Sequence, residues 1–383
     1  MDSERAGKEQ AWTRVLAPMR VRPESGAAAG FNSRIDQLTG LRFFAALLVF
    51  TSHLKWEHSW SFVGKMAEQG SVGVSFFFVL SGFVISYSYG WRLRSGDVSR
   101  AKYFALRVAR LWPLHFLTGL PFAVFLIWHG GLDVWKYGAN LVFAQSWLPS
   151  AQWYFAFNGP SWSLSNEMFF YAACIGLACL GARAKIAAFL SVIAVIIAAM
   201  LVLLGTDPDI QIAGSRPLQH WLFYVFPLLR LDEFLLGMII FDYWKGGKLR
   251  LPGASYFTIP ALLVAMYLCV PHVPELLRYH LFYMPFVALL LVSFLSGATT
   301  PIRLFASRPA LLLGEASFAF YLIHQPIVNF AEQARQKLDI LPSDLLFAAL
   351  LLATCIMLAL IVHLFVERPV NSVLRKLIGR SGL

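Results

Sequence analysis

Residues 72–90 read Val72-Gly73-Val74-Ser75-Phe76-Phe77-Phe78-Val79-Leu80-Ser81-Gly82-Phe83-Val84-Ile85-Ser86-Tyr87-Ser88-Tyr89-Gly90, without a charged side chain. At 1.5 Å per helical residue, a run of this length crosses a hydrocarbon layer about 30 Å thick. The stretch therefore predicts a transmembrane helix, and it decides the class of fold.

The rest of the chain repeats this pattern. Of its 383 residues, 58% are apolar and 14% are charged, against a charged fraction of about 25% in ordinary soluble domains. Further apolar runs lie near 38–56, 111–129, 161–181, 186–205, 219–243, 254–271, 280–297, 312–331 and 345–366. The sequence thus predicts an all-α, polytopic integral membrane protein with about ten transmembrane helices. We expect a disordered cytoplasmic tail over 1–36, a transmembrane domain over 37–370 and a short cytoplasmic tail over 371–383.

Charge patterning predicts the orientation. The net charge is +11, and the cations lie between apolar runs, so membrane topology explains them better than nucleic-acid binding. Lys and Arg gather in the N-terminal tail, in every second link and after the last span, whereas the alternate links are near neutral. Because Lys and Arg accumulate on the cytoplasmic side, we expect a multi-pass protein of the bacterial inner membrane with both termini cytoplasmic.

The first span carries two ionisable residues, Arg42 and His53. An ionisable side chain within a span costs several kcal/mol unless it is paired or solvated, so it is a functional candidate by default. Eleven residues of helix bring the two side chains back to one face, about 16 Å apart along the axis. Snorkelling of Arg42 to the interface and simple packing of His53 are the alternative interpretations.

The fourth span begins Pro160-Ser161-Trp162-Ser163-Leu164-Ser165-Asn166-Glu167. It enters from the outer side, so we expect Glu167 at a depth similar to that of His53. A carboxylate beside an imidazole fixes its tautomer and stabilises its protonated form, as a general base requires. His53 and Glu167 are therefore the predicted catalytic pair, although Glu167 is also suited to a polar helix start.

Arg107 and Arg110 end the second intracellular link, three residues apart and on one helix face. Guanidinium groups in this arrangement bind phosphates bidentately, while positive-inside anchoring is the alternative reading of the same spacing. Arg230 with Asp232 or Glu233 suggests a structural ion pair, and His324 before Pro326 suggests a cavity lining or a kinked helix. The aromatic link 130–160 is either a cap over a site or an interfacial anchor. Cysteine spacing indicates no metal site.

Several of these stretches recur together in one known family. They are Leu38-Thr39-Gly40-Leu41-Arg42 with His53, Gly73 to Phe83, Arg107-x-x-Arg110-Leu-x-Pro113, Trp162-Ser163-Leu164-x-x-Glu167 with Phe170-Tyr171, Tyr321-Leu322-Ile323-His324-x-Pro326, and Glu367-Arg368-Pro369. In this order the set resembles the membrane acyltransferase-3 family, which acylates sugars, surface polysaccharides and some antibiotics. The resemblance covers about residues 36 to 370.

The resemblance implies acyl transfer from a cytoplasmic acyl-CoA, acetyl-CoA or longer, to a hydroxyl of a sugar, polysaccharide or macrolide acceptor at the lipid membrane. It implies that His53 is essential, that Arg42 supports it, and that Arg107 and Arg110 lie near the donor. A carrier or flippase that uses the same buried charges without covalent chemistry is the second hypothesis. A sensor or scaffold is the third.

Overall fold

The computed structural model describes residues 28–54, 64, 69–206, 211–212, 216–249, 251, 255–269, 272–279, 281–296, 303–338 and 344–380. Helices α1 to α5 are Ala28–Ser52, Ser71–Ser95, Arg100–Trp128, Val134–Leu141 and Ala151–Tyr154. Helices α6 to α10 are Trp162–Leu177, Ala182–Gly205, Leu218–His220, Leu231–Lys245 and Ser255–Cys269. Helices α11 to α15 are Glu275–Arg278, Met284–Ser296, Arg308–Leu338, Asp344–Val362 and Arg368–Arg380.

Short elements interrupt the helices. Single 3₁₀ turns lie at Gln145–Trp147 and Gly159–Ser161, and π-helical turns lie at Trp221–Val225 and His363–Glu367. A two-stranded antiparallel sheet pairs β1, Gln211–Ile212, with β2, Arg216–Pro217. The described chain is otherwise almost entirely helical, as the apolar runs predict.

Five helical segments are long and apolar enough to cross a membrane, judged on the described residues: Ser71–Ser95, Arg100–Trp128, Ala182–Gly205, Arg308–Lys337 and Leu345–Arg380. Two shorter apolar helices span Tyr256–Ala265 and Met284–Ser296. A helix overlaps each predicted span, so the helical class of the fold is confirmed. The total of about ten crossings stays a prediction.

The sixth predicted span is broken rather than continuous. Helix α8 and the π-helical turn end at Val225, and α9 begins at Leu231. Pro227 lies in the gap. Because proline has no N–H to donate and its ring clashes with the preceding helical turn, the helix breaks there. The buried Arg230 ends the break and donates a hydrogen bond to the carbonyl oxygen of Tyr224, which lies just before it.

Helix extends beyond the predicted domain at both ends. Helix α1 begins at Ala28, inside the segment assigned to the tail, and residues 1–27 lie outside the described part. At the other end α15 continues to Arg380 through the predicted second tail. Its half-buried residues Asn371, Leu374, Arg375 and Ile378 share one face, which gives this segment a reason to be helical.

Two helix pairs form the centre of the bundle, and glycine lets each pair approach closely. A Cβ on Gly314 of α13 would lie 1.9 Å from the backbone oxygen of Thr39 in α1. A Cβ on Gly237 of α9 would lie 1.9 Å from the backbone oxygen of Val79 in α2. Small residues permit such backbone contact between membrane helices. The pairs α1–α13 and α2–α9 are thereby fixed to each other, and α1 packs on α2.

Candidate active site

A cavity of about 550 Å³ lies at the end of α1, and His53 lines it. The other walls come from α2, α8 with the π-helical turn after it, α11 and α13, and from the 3₁₀ turn that precedes α6. Its polar lining includes Ser52, Gln69, His220, Glu275, Arg278, Gln325 and Asn329, and its aromatic lining includes Phe155, Phe157, Trp162, Tyr224, Tyr279 and Tyr321. Polar groups set among aromatic faces make this a ligand-binding cavity by its chemistry.

His53 is held by the backbone of its own helix and by a second histidine. Its Nδ1 lies 2.8 Å from the carbonyl oxygen of Val49 and 3.4 Å from Nε2 of His324. Since a carbonyl only accepts, Nδ1 of His53 carries the proton and donates it. The Nε2 atom of His53 is therefore the basic nitrogen.

His324 is fully buried on α13, and its own tautomer follows from the same rule. Its Nδ1 lies 2.7 Å from the carbonyl oxygen of Tyr321 and donates to it, so its Nε2 keeps a lone pair directed at His53. Its ring stacks on Phe320 at an interplanar angle of 13°. His324 thus has the orienting position that the sequence assigned to Glu167. The signal in the sequence was an isolated histidine in an apolar span.

Glu167 does not orient His53 in the structure. Its carboxylate accepts a hydrogen bond from the Tyr171 hydroxyl at 2.7 Å, and no hydrogen bond or ion pair joins it to His53, although the structure describes both residues. Helix α6 begins at Trp162, beside the His53 cavity, and each further residue descends 1.5 Å, so Glu167 lies about 7 Å deeper. The structure thus gives the two residues separate contacts and separate cavities, and a catalytic role of Glu167 stays a prediction.

Glu167 belongs instead to a second, smaller cavity of about 40 Å³ that Arg42 also lines. Tyr321 and Val74 line both cavities. The Tyr321 hydroxyl lies 2.8 Å from Oγ of Ser163 and 3.2 Å from the carbonyl oxygen of Pro160. Ser163 lies 3.0 Å from the same carbonyl, so both hydroxyls can donate to it and either hydroxyl can donate to the other. This hydrogen-bonded contact separates the small cavity from the His53 cavity.

The three arginines predicted to bind the donor lie near one another. They are on the Glu167 side of the contact between Tyr321 and Ser163. Arg42, Arg107 and Arg110 all lie within electrostatic reach of Glu167. Arg110 forms a short ion pair with the buried carboxylate of Glu367. Nδ1 of His363 lies 2.8 Å from the other oxygen of that carboxylate. The arginines thus form one partly neutralised cationic cluster, hereafter the arginine cluster.

A fully buried ion pair supports the opposite wall of the His53 cavity. Arg230 donates to Glu233 from Nε at 2.9 Å and from Nη2 at 2.8 Å, which confirms the structural pair predicted from the sequence. Its Nη1 donates to the carbonyl oxygens of Tyr224 at 3.2 Å and Tyr279 at 3.4 Å. Both tyrosines line the cavity, so the guanidinium fixes the backbone that carries them.

The link between α3 and α6 also forms part of the cavity wall. Phe155 and Phe157 line the cavity, whereas Trp135 is 79% exposed, so one part of the link borders the cavity and another part faces outward. Phe157 has φ of +63°, a conformation that costs a bulky residue roughly 1 kcal/mol or more. The neighbouring Asn158 donates to the carbonyl oxygen of Leu322 at 2.9 Å, which anchors the link to α13.

Comparison with known proteins identifies the family to which the chain belongs. The family profile described as an acyltransferase domain, that of the acyltransferase-3 family, matches residues 35–363. The chain is 31% identical to "Acyltransferase MdmB" of Streptomyces mycarofaciens over 363 residues, 88% of this chain and 91% of that protein. The protein belongs to the acyltransferase-3 family of membrane acyltransferases.

More distant relatives extend the comparison. The chain is 25% identical to the "Putative peptidoglycan O-acetyltransferase YrhL" of Bacillus subtilis, over 88% of this chain and 55% of that protein. It is 26% identical to the "Exopolysaccharide production protein ExoZ" of Rhizobium meliloti, over 78% of this chain and 89% of that protein. No solved structure matches the chain.

Proposed function

We propose that the protein is an O-acyltransferase that moves an acyl group from acyl-CoA to a hydroxyl of a sugar-containing or macrolide acceptor, with His53 as general base. One observation carries the proposal. His53 lines a large polar and aromatic cavity, and its Nδ1–H is held by the Val49 carbonyl beside His324. This leaves Nε2 of His53 to take a proton.

The proposed reaction balances without a further reagent. The acceptor O–H gives its proton to Nε2 of His53 while its oxygen attacks the thioester carbonyl carbon of the donor. The tetrahedral intermediate expels the CoA thiolate, which takes the proton back from His53, and the products are the ester and free CoA. While His53 is protonated, its Nδ1–H is shared between Val49 and His324, which stabilises the charge.

The arginine cluster is the proposed site for the donor's phosphates. Arg42, Arg107 and Arg110 offer the planar donors that phosphate oxygens favour. Arg42 lies eleven residues before His53 on the same chain segment, about 16 Å along the axis, so a donor anchored there must extend past Tyr321 to bring its thioester to His53. The proposed task of Glu167 is to balance the charge of Arg42.

The acceptor is proposed to occupy the His53 cavity. Its aromatic rings suit the apolar faces of a sugar or a macrolide, and its amide and charged groups suit hydroxyls. Two relatives are named for peptidoglycan O-acetylation and for exopolysaccharide production, and these names support a carbohydrate acceptor. We place the arginine cluster on the cytoplasmic side of a bacterial inner membrane and the cavity toward the outer side, with both termini cytoplasmic, from the distribution of Lys and Arg.

The test uses purified protein in nanodiscs, with free CoA measured after addition of acetyl-CoA or longer acyl-CoAs and a panel of sugar and macrolide acceptors. Mass spectrometry identifies the ester. We expect CoA release that depends on the acceptor and is lost in His53→Ala. Folded protein that transports an acceptor into vesicles and never forms an ester would establish a carrier instead.

A further inference from the structure

The C-terminal helix α15 brings a further arginine to the arginine cluster. Helix α15 packs against α3, the helix that carries Arg107 and Arg110. Arg110 pairs with Glu367, just before α15, and Arg375, eight residues later, lies within electrostatic reach of Arg107 and Arg110. Arg375 thus lies beside the part of α3 that carries both arginines.

Arg375 and the neighbouring cation Lys376 lie on different faces of α15. Arg375 is half-buried on the face that packs against α3, whereas Lys376 is exposed. Exposure of Val373 and Leu377, at 55% and 56%, shows that the other face is directed outward. A cation that served only to hold α15 at a membrane surface would belong on that outer face, with Lys376.

Within the described residues, the buried Nε–H of Arg107 has no hydrogen-bond acceptor. Its Nη2 donates to the Tyr89 hydroxyl at 3.1 Å and its guanidinium lies 4.7 Å from the centre of the Tyr89 ring. Its Nε atom is buried and has no hydrogen-bond partner within the described residues, where no carboxylate lies within ion-pair distance of Arg107 either. A buried guanidinium nitrogen without an acceptor is costly. Two carboxylates lie in this region and both have other partners: Glu367 binds Arg110 and His363, and Glu167 accepts a hydrogen bond from Tyr171.

We propose that Arg375 completes, with Arg107 and Arg110, a three-arginine site for the phosphate groups of the acyl-CoA donor. The inference rests on the proposed function. It adds a phosphate-binding residue from α15, a segment that the sequence analysis assigned to the C-terminal tail. Converging guanidinium groups repel one another unless a multivalent anion lies between them. A phosphate presents several acceptor oxygens to several arginines at once. The phosphate of a lipid headgroup has the same chemistry, and the experiment separates the two sources.

The experiment compares wild type with Arg375→Ala, Arg375→Lys and the matched control Lys376→Ala, each in nanodiscs of zwitterionic lipid and in nanodiscs containing anionic lipid. Two donors are used: acetyl-CoA, and S-acetylpantetheine, which lacks every phosphate. Binding of free CoA is measured alongside by calorimetry. We expect Arg375→Ala to raise KM for acetyl-CoA and Kd for CoA about 10-fold, at unchanged kcat. Arg375→Lys recovers part of the loss, and Lys376→Ala matches wild type.

The phosphate-free donor distinguishes binding from structure. With S-acetylpantetheine, Arg375→Ala and wild type should have equal kcat/KM. Equal losses with both donors would make Arg375 a structural residue, and wild-type KM and Kd in Arg375→Ala would overturn the proposal. A loss that arises only in nanodiscs containing anionic lipid would assign the site to a headgroup. If wild type binds CoA and transfers nothing, the proposed function fails while the CoA affinity of Arg375→Ala still decides this inference.

Discussion

Replacing His324 by phenylalanine should slow acyl transfer without unfolding the protein. The phenyl ring is planar and aromatic, somewhat larger than the imidazole, and can stack on Phe320, so the main change is the loss of the two nitrogen atoms. It leaves the Nδ1–H of His53 with the Val49 carbonyl as its remaining partner. The substitution therefore isolates the contribution of the 3.4 Å contact between the two imidazoles.

The expected loss of rate depends on the protonation state in which the contact between His53 and His324 is strong. Between neutral rings a 3.4 Å contact is weak, but it strengthens once His53 carries the acceptor's proton. A hydrogen bond to a charged group contributes about 1.5–3 kcal/mol. Since each 1.36 kcal/mol is tenfold in rate, kcat should fall by about 10- to 100-fold. Glutamine at this position supplies an acceptor oxygen and should lose less.

The assay is steady-state CoA release with a saturating acceptor, together with the thermal unfolding midpoint of each variant. His115→Phe is the matched control, because His115 is also a buried histidine that bonds a backbone carbonyl, that of Asn140 at 2.9 Å, and it does not line the cavity. It should keep the wild-type kcat. A His324→Phe variant with wild-type kcat and folding would refute the orienting role of His324.

Three further outcomes are expected. His53→Ala should lower kcat by about 10²- to 10⁴-fold, as removal of a general base does, with CoA binding by calorimetry unchanged; full activity would exclude the mechanism. Gly314→Ala should lower the free energy of unfolding by about 1–3 kcal/mol or more, because its Cβ would overlap the Thr39 carbonyl and force α1 from α13; denaturation in detergent measures it, and wild-type stability would contradict the packing. Ser163→Ala removes one of the two hydrogen-bond partners of the Tyr321 hydroxyl and should raise acceptor-independent CoA release; an unaltered rate of that release would contradict the role of this contact in separating the two cavities.

The helical class was predictable because hydropathy is a local property. Each apolar run reports its own environment, so a helix overlaps every predicted span even where its ends differ by several residues. The break in the sixth span also had a local signal in Pro227, whose missing N–H ends a helix. The ion pair of Arg230 with Glu233 joins residues three apart on the chain, and short spacing again made it predictable.

Contacts between distant parts of the chain were not predictable in the same way. His53 and His324 are 271 residues apart, and no spacing rule connects two helices whose packing is unknown. His53 and Glu167, expected at one depth, line different cavities; their depths were inferred from helix starts, and an error of one turn moves a side chain about 5 Å. The convergence of Arg42, Arg107 and Arg110 succeeded because all three share the basic end of their spans.

The contact between Tyr321 and Ser163 has a bioenergetic consequence. A transferase that admits a polar donor from one side of a membrane and a polar acceptor from the other needs two wet openings that approach each other. If they merged into one water column, protons would cross it, and each would dissipate about 2.3 kcal/mol for every 100 mV of membrane potential. Under the proposed reaction, Tyr321, which lines both cavities and contacts Ser163 and Pro160 through its hydroxyl, lies between these two openings. The proposed function therefore makes this phenol ring part of the barrier to proton leakage.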